Sequence, residues 1–376
     1  MRARDIGIAI GHAATGTHNA ITDVAGVRVG HTTLIEGHGP LVVGSGPVRT
    51  GVTMIVPHER VGGALLFAGC HRLNGNGELT GLEWVRESGV LTSPIAITNT
   101  HSVGVVRDAI VAAKARQVDP REVWWSLPVV GETWDGTLND INGQHVRAEH
   151  VLRALASASH GQVGEGNVGG GTGMVCHGFK GGIGTASRVV PESAGAYTVG
   201  VLVQANHGRR ERLTVNGVPV GLAIAPSEVP LPSPRSTPWD WPDGEGAGSI
   251  IVVVATDAPL LPHQCRRLAQ RAGLGIARTG GAGEHSSGDI FIAFSTGNAD
   301  AAASPGERRP SRTASVEMLS DDYVTPLFYA VIEATEEAIL NALLQGETMT
   351  GRDGNIAHRL DPDRLLAIMR EYGRSN

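Results

Sequence analysis

The sequence predicts a layered α+β fold with sheets inside and helices outside, and three observations carry that reading. Apolar runs of strand length recur along the chain: VRVGHTT, GVTMIVPH, PIAITNT, TVGVLVQAN, SIIVVVAT and DIFIAFST. Several are continuous rather than alternating, so both of their faces must be covered. Helical patterns fall between them without the strict strand–helix alternation of a doubly wound sheet, which favours stacked layers. With 376 residues the chain can bury a sizeable core.

The helices follow from spacing and from punctuation. SVGVVRDAIVAAKARQ places Val103, Val106, Ile110 and Ala113 near one face at intervals of three and four, and the stripe fades at Gln117. LLPHQCRRLAQRAG predicts a helix closed by Gly273 as its C′ glycine. TPLFYAVIEATEEAILNALLQG predicts the strongest helix, with Thr325 as N-cap, Pro326 at the first position and Gly346 closing it. Its apolar positions Leu327, Val331, Ala334, Ala338, Leu340, Leu343 and Leu344 cover much of the circumference, so it should be well buried. GVRVG and GVPVG match too briefly to make an internal repeat.

Composition narrows the function. Aromatic residues are 4% and charged residues 18%, while glycine numbers 52, which suits a loop-rich enzyme better than a disordered or fibrous chain. The formal charge of -6 is spread without long runs and draws the protein to neither nucleic acid nor an anionic membrane. No window approaches the roughly 18 apolar residues of a membrane span. The opening MRARDIGIAIGHAATG has no signal-like apolar stretch. Cys70, Cys176 and Cys265 lie far apart and outside any CxxC, which predicts buried, reduced thiols in a cytoplasmic protein.

Familiar motifs fail on inspection. GEGNVG (164–169) is a literal GxGxxG, but neither a helix nor an acidic partner frames it as dinucleotide binding requires. GMVCHGFKG falls short of a phosphate loop, because Phe179 precedes Lys180 and no Ser or Thr follows. The glycine tract is instead expected to be backbone that passes close to something. HVRAEH (145–150) is one residue too long for HxxEH, HExxH is absent, and His31, His58, His101, His177, His207 and His285 are scattered singly, so no metal site is expected. No GxSxG surrounds any serine.

The sharpest composition break is APSEVPLPSPRSTPWDWPDGEGAG (225–248), held extended by Pro226, Pro230, Pro232, Pro234, Pro238 and Pro242. It reads as an interdomain linker, except that it runs without a turn into Ser249 at the head of SIIVVVAT. A Gly–Ser bond entering a buried strand suits self-cleavage, in which the hydroxyl attacks the preceding carbonyl, the acyl group shifts from nitrogen to oxygen, and water releases it. Gly248 tolerates strained dihedrals and leaves the approach open. Ser249 then carries a free α-amine of pKa roughly 7.7–8.0 that can act as base for its own hydroxyl. In GEHSSGDIFIAFST, Ser287 and Asp289 open another buried strand and supply a candidate proton path, with a capped strand start as the plain alternative.

These motifs together resemble the family of self-processing aminopeptidases that includes the L-aminopeptidase/D-esterase/D-amidase and the β-peptidyl aminopeptidases. ITDVAGVRVGHTT, LNGNGELTG, ITNTHSVG, PVVGETWDGTLNDING, GNVGGGTG, VQANHGRRERLTVNGVPVG, the Gly248–Ser249 junction and HSSGDIFIAFST occur in order between about residues 5 and 345. The resemblance implies a four-layer αββα sandwich, similar to N-terminal-nucleophile hydrolases but with its own connectivity. It implies one catalytic domain over 1–376, processed into 1–248 and 249–376, with the chains staying together in a homotetramer. Ser249 takes the nucleophile's place, Ser287 that of the assisting serine, and Asp289 an acidic position where β-peptidyl members carry Glu. Asn206 matches the oxyanion donor, with Asn216 as substitute. Glu132 matches the carboxylate that receives the substrate's ammonium, and Trp134 would line the pocket, with a plain core or rim tryptophan as the alternative. The expectation is a cofactor-free, metal-free serine aminopeptidase or amidase acting on short peptides, amides or esters. The alternatives are an acyl transferase of related fold and a nonenzymatic small-molecule binding protein with a Gly-rich pocket.

Overall fold

The continuous apolar runs become the strands of two stacked sheets. The computed structural model describes residues 1–121, 123–232, 248–301 and 313–374. Its strands are β1 (Arg28–Glu36), β2 (Val48–Val56), β3 (Ala68–Arg72), β4 (Ile95–Asn99), β5 (Val129–Thr133), β6 (Val175–Cys176), β7 (Phe179–Lys180), β8 (Gly182–Val189), β9 (Thr198–Asn206), β10 (Ser249–Thr256), β11 (Gly288–Ser295), β12 (Met349–Thr350) and β13 (Ile356–Ala357). The helices are α1 (Leu82–Ser88), α2 (Val103–Ala115), α3 (Ala148–Ala156), α4 (Val220–Ala223), α5 (Pro262–Arg278), α6 (Thr325–Leu344) and α7 (Pro362–Glu371). One sheet has the order β1-β2-β4-β5 and the other β3-β11-β10-β9-β8; β6-β7 and β12-β13 form small hairpins.

Alternation along β10 shows why no polar residue interrupts it. Ile250, Val252 and Val254 point to one face and pack with Cys265, Leu268 and Ala272 of α5 and Val331, Ala334 and Ala338 of α6. Ile251, Val253 and Ala255 point to the other face and meet Ile55, Ile97 and Val129 of the four-stranded sheet. On the far side of that sheet, Val52, Met54, Ala96 and Val130 pack beneath α2 and α3. The result is helices, sheet, sheet, helices: the αββα sandwich, an α+β architecture.

The glycine tract runs between the layers, as expected of backbone in close approach. A Cβ at Gly169 would stand 2.3 Å from Thr53 Oγ1, and one at Gly170 would stand 2.1 Å from Gln204 Oε1. Two helix ends differ from the sequence reading. α5 does not stop at Gly273 but continues to Arg278, where Gly280 (φ 94°) is the true C′ residue. Its N–H donates to Ala277 O and that of Gly281 to Ile276 O, the paired bonds of a Schellman motif. α6 begins at Thr325 with Val324 before it and no side-chain cap, so Thr325 lies inside the first turn rather than capping it. Of the proline-rich stretch, residues 233–247 lie outside the described residues. Among the described residues, no helix is long and apolar enough to cross a membrane.

Candidate active site

Ser249 is the first residue of β10, in the middle of the five-stranded sheet. It pairs with Asn206 across the antiparallel ladder to β9 and with Gly288 across the parallel ladder to β11. Being odd-numbered like Ile251 and Val253, it turns its hydroxyl toward the space between the sheets. The Gly288 N–H donates to Ser249 Oγ at 3.1 Å. Gly248 is glycine for a steric reason: a Cβ there would lie 2.3 Å from Asn206 O and 2.7 Å from His207 Cα. Its φ is not in the left-handed region, so close approach of β9, not a strained dihedral, is what requires glycine.

Ser287 and Asp289 flank Gly288 and form one unit. Ser287 Oγ donates to Asp289 Oδ1 at 2.7 Å, and the same oxygen accepts from the Ile250 N–H at 3.2 Å. Asp289 Oδ2 accepts from Asn74 Nδ2 at 3.2 Å, and the Asp289 N–H donates to Asn74 Oδ1 at 2.6 Å. Burial pushes the Asp289 carboxyl up, against the lowering effect of its Ser287 and Asn74 donors. Asn74 was not foreseen individually, although it belongs to the LNGNGELTG stretch. Its loop crosses the head of β11 so tightly that a Cβ on Gly288 would meet Asn76 O at 2.4 Å.

The same loop connects the serines to Glu132. A Cβ on Gly77 would stand 3.1 Å from both Glu132 Oε1 and Gly288 Cα. Glu132, near the end of edge strand β5, is 2% exposed. Its Oε1 accepts from the Glu78 N–H at 2.8 Å, and its Oε2 accepts from the Thr100 hydroxyl. Burial raises its pKa against those two donors. Among the described residues it forms no ion pair.

Asn206 lies opposite Ser249, so its side chain emerges on the same face of the sheet. Oδ1 accepts from the Val175 N–H at 2.8 Å and Nδ2 donates to Trp134 O at 3.0 Å, which fixes the amide and leaves its second hydrogen. Trp134 therefore serves Asn206 through its carbonyl, while its ring, 39% exposed, covers Gly136 at the rim. The next residue, Asp135, is fully buried beside Thr50, Asn99 and Asn139, and burial pushes it up to about 7. Asn216 is not brought here. It sits at φ 49° in the turn between Val215 and Val218, half-buried and directed toward Ala9 O.

The histidines are not all single. His177 and His207 meet with ring centroids 5.2 Å apart, and Cys176 Sγ lies 3.8 Å from His207 Nδ1. Spacing in sequence hid this, because the partners stand about 30 residues apart, one just after β9 and the others on the hairpin beside it. Burial lowers His177 to about 4 and His207 well below the ordinary value, so both rings are neutral.

Comparison with known proteins places the chain among aminopeptidases. The chain is 51% identical over 375 residues to a β-peptidyl aminopeptidase of Sphingosinicella microcystinivorans, covering 99% of this chain and 93% of that one. A β-aminopeptidase of Burkholderia sp. superposes with a TM-score of 0.90 at 54% identity, covering 99% of both chains. The L-aminopeptidase D-Ala-esterase/amidase of Ochrobactrum anthropi, described as a prototype for the serine aminopeptidases and a new variant among the Ntn hydrolase fold, superposes at 0.87 with 44% identity over 100% of this chain and 99% of that one. Residues 19–357 match the model of peptidase family S58, and the chain belongs to that family of peptidases.

Proposed function

We propose that this peptidase is a self-processing serine aminopeptidase and amidase whose nucleophile is Ser249. The observation that carries the reading is the placement of Ser249: first residue of a buried central strand, facing the gap between sheets, with Asn206 opposite and Ser287–Asp289 on the adjoining strand. In maturation, Ser249 Oγ attacks the Gly248 carbonyl carbon, the C–N bond gives way to an ester, and water hydrolyses that ester. Gly248 gains a carboxylate and Ser249 a free α-amine. The fragments 1–248 and 249–376 stay together because β10 is hydrogen-bonded to β9 and β11 to β3, each ladder joining a strand of the second fragment to one of the first.

In turnover, the α-amine of Ser249 accepts the hydroxyl proton, directly or through Ser287, as Oγ attacks the substrate carbonyl. Asp289 holds Ser287 by accepting its hydrogen. The free hydrogen of Asn206 Nδ2 stabilises the oxyanion. The leaving amine takes the proton, and water then releases the acyl group from Ser249. Glu132 is a buried carboxylate without a cation among the described residues, and a substrate's N-terminal ammonium supplies one, which makes the enzyme an exopeptidase. We further read the enzyme as a homotetramer, which the resemblance implies, and as a cytoplasmic protein that works without a cofactor.

The test compares a free-amine dipeptide amide with its N-acetyl derivative, in the presence of an added amine acceptor. Hydrolysis of the free-amine substrate alone supports the reading. Equal turnover of both removes the role of Glu132, and transfer to the acceptor in place of hydrolysis indicates an acyl transferase.

A further inference from the structure

Behind the Gly248–Ser249 junction, on the β6–β7 hairpin and the residue after β9, lie Cys176, His177 and His207, whose potential ligand atoms all fall within 4.8 Å of one another. Cys176 and His177 are fully buried and His207 is 3% exposed. His177 Nδ1 donates to Arg209 O at 2.9 Å, which in a neutral ring leaves Nε2 as a bare lone pair. Among the described residues that Nε2 has no hydrogen-bond partner. Buried polar atoms of this kind call for an explanation, an unseen ion among them. A carbonyl holding Nδ1–H while Nε2 faces a cluster is the arrangement that orients metal-bound histidines.

The hairpin turn adds a second, independent observation. His177 and Gly178 both have positive φ, 49° and 68°, the pattern that an Asn-Gly pair fills without strain. A buried histidine in that position bears a backbone cost that the turn itself does not require.

We propose that Cys176, His177 and His207 form a binding site for a borderline-soft divalent ion of the zinc class, one ion per chain. A thiolate and two imidazoles suit that class, and the 3.8 Å Cys176–His207 separation is close to the edge of a tetrahedron with bonds of about 2.0–2.3 Å. Binding replaces the Cys176 S–H bond with a sulfur–metal bond and releases one proton to solvent. Burial pushes the Cys176 thiol up to about 12, an effect that the nearby Lys180 charge offsets only in part, so it is the metal itself that displaces the proton. The ion's role is positional. It ties the hairpin to the end of β9, and the hairpin's Val175 N–H in turn holds Asn206 Oδ1.

The experiment measures bound metal by mass spectrometry in full-length protein purified from cells grown in zinc- or cobalt-supplemented medium, because the buried site fills as the chain folds. The expected result is about one ion per chain, with thiolate-to-cobalt charge transfer and tetrahedral d–d bands in the cobalt form. His177→Asn removes a ligand while giving the turn its preferred Asn-Gly pair, so it should fold and hold less than about a tenth of an ion per chain. Wild-type protein with less than about a tenth of an ion, or a cobalt form without thiolate charge transfer, would overturn the proposal. So would full occupancy in folded His177→Asn. The wild-type stoichiometry and spectrum decide the matter even if a variant fails to fold.

Discussion

Two pairs of buried carboxylates in this molecule are treated in opposite ways. Glu333 and Glu337 on α6 are matched by cations. Glu337 takes Arg188 Nη2 at 2.7 Å and Arg4 Nε at 3.0 Å, while Glu333 takes Arg188 Nε at 3.2 Å and the His12 and Ala13 N–H groups. Among the described residues, Glu132 and Asp289 have only hydroxyl, amide and backbone donors, and burial raises the pKa of both. The first pair fastens the N-terminal segment to α6. The second is left short of positive charge at the spot where a substrate ammonium and a terminal amine would arrive. Incomplete pairing, more than burial itself, separates the working end of the sandwich from its structural anchor.

The contrast breaks most visibly at Ser249. Ser249→Ala should lower kcat/KM by about 10⁴–10⁶-fold without lowering the denaturant midpoint. A loss of stability comparable to that of a core variant would show the hydroxyl to be structural. Asn206→Ala should lower kcat by about 10²–10³-fold, the usual effect of removing one oxyanion donor. Glu132→Gln should cost a similar factor of about 10²–10³, seen mainly in KM for free-amine substrates, because the proposed partner of the substrate ammonium would lose its charge.

On the anchor side the same change has the opposite consequence. Glu337→Gln leaves Arg188 short of a partner and should cost about 3–5 kcal/mol of stability, read by denaturant unfolding, while kcat per folded molecule stays near wild type. Glu132→Gln should not be destabilising at neutral pH. A carboxyl whose folded pKa exceeds its unfolded value contributes stability below the unfolded pKa and loses it as pH rises through the folded one. The glutamine variant should therefore equal wild type in acid and exceed it at neutral pH, a small effect visible in paired thermal melts. Because Glu132 must be ionised to receive an ammonium, wild-type kcat/KM should fall on acidification at a pH above the ordinary carboxylate range. That limb should vanish in Glu132→Gln.

The strands were readable where both faces are apolar, as in β10, and harder to read where polar groups are buried. β8 carries Thr185, Ser187 and Arg188, all fully or nearly fully buried, and nothing local signals that Arg188 meets two glutamates of α6. The end of α5 was misread because Gly273 looks like a stop. A second helical glycine, Gly275, has a packing purpose, since a Cβ there would strike Thr335 and the Ile332 carbonyl of α6. At the site, Ser249, Ser287, Asp289, Asn206 and Glu132 were each legible from their motifs, and the fold brings them to one end of the sandwich. Asn74, Thr100 and the Cys176–His177–His207 cluster were not, because each depends on a contact between segments remote in sequence.

Ser249 is proposed to be both the cleavage point and the nucleophile. The most direct test is the intact mass of the purified wild-type chain under denaturing conditions, alongside Ser249→Ala. The account predicts two wild-type species in equal amounts, residues 1–248 and 249–376, and one uncut species in the variant. A single full-length wild-type mass in protein that nonetheless hydrolyses free-amine substrates would contradict it, because Ser249 would then have no terminal amine with which to act.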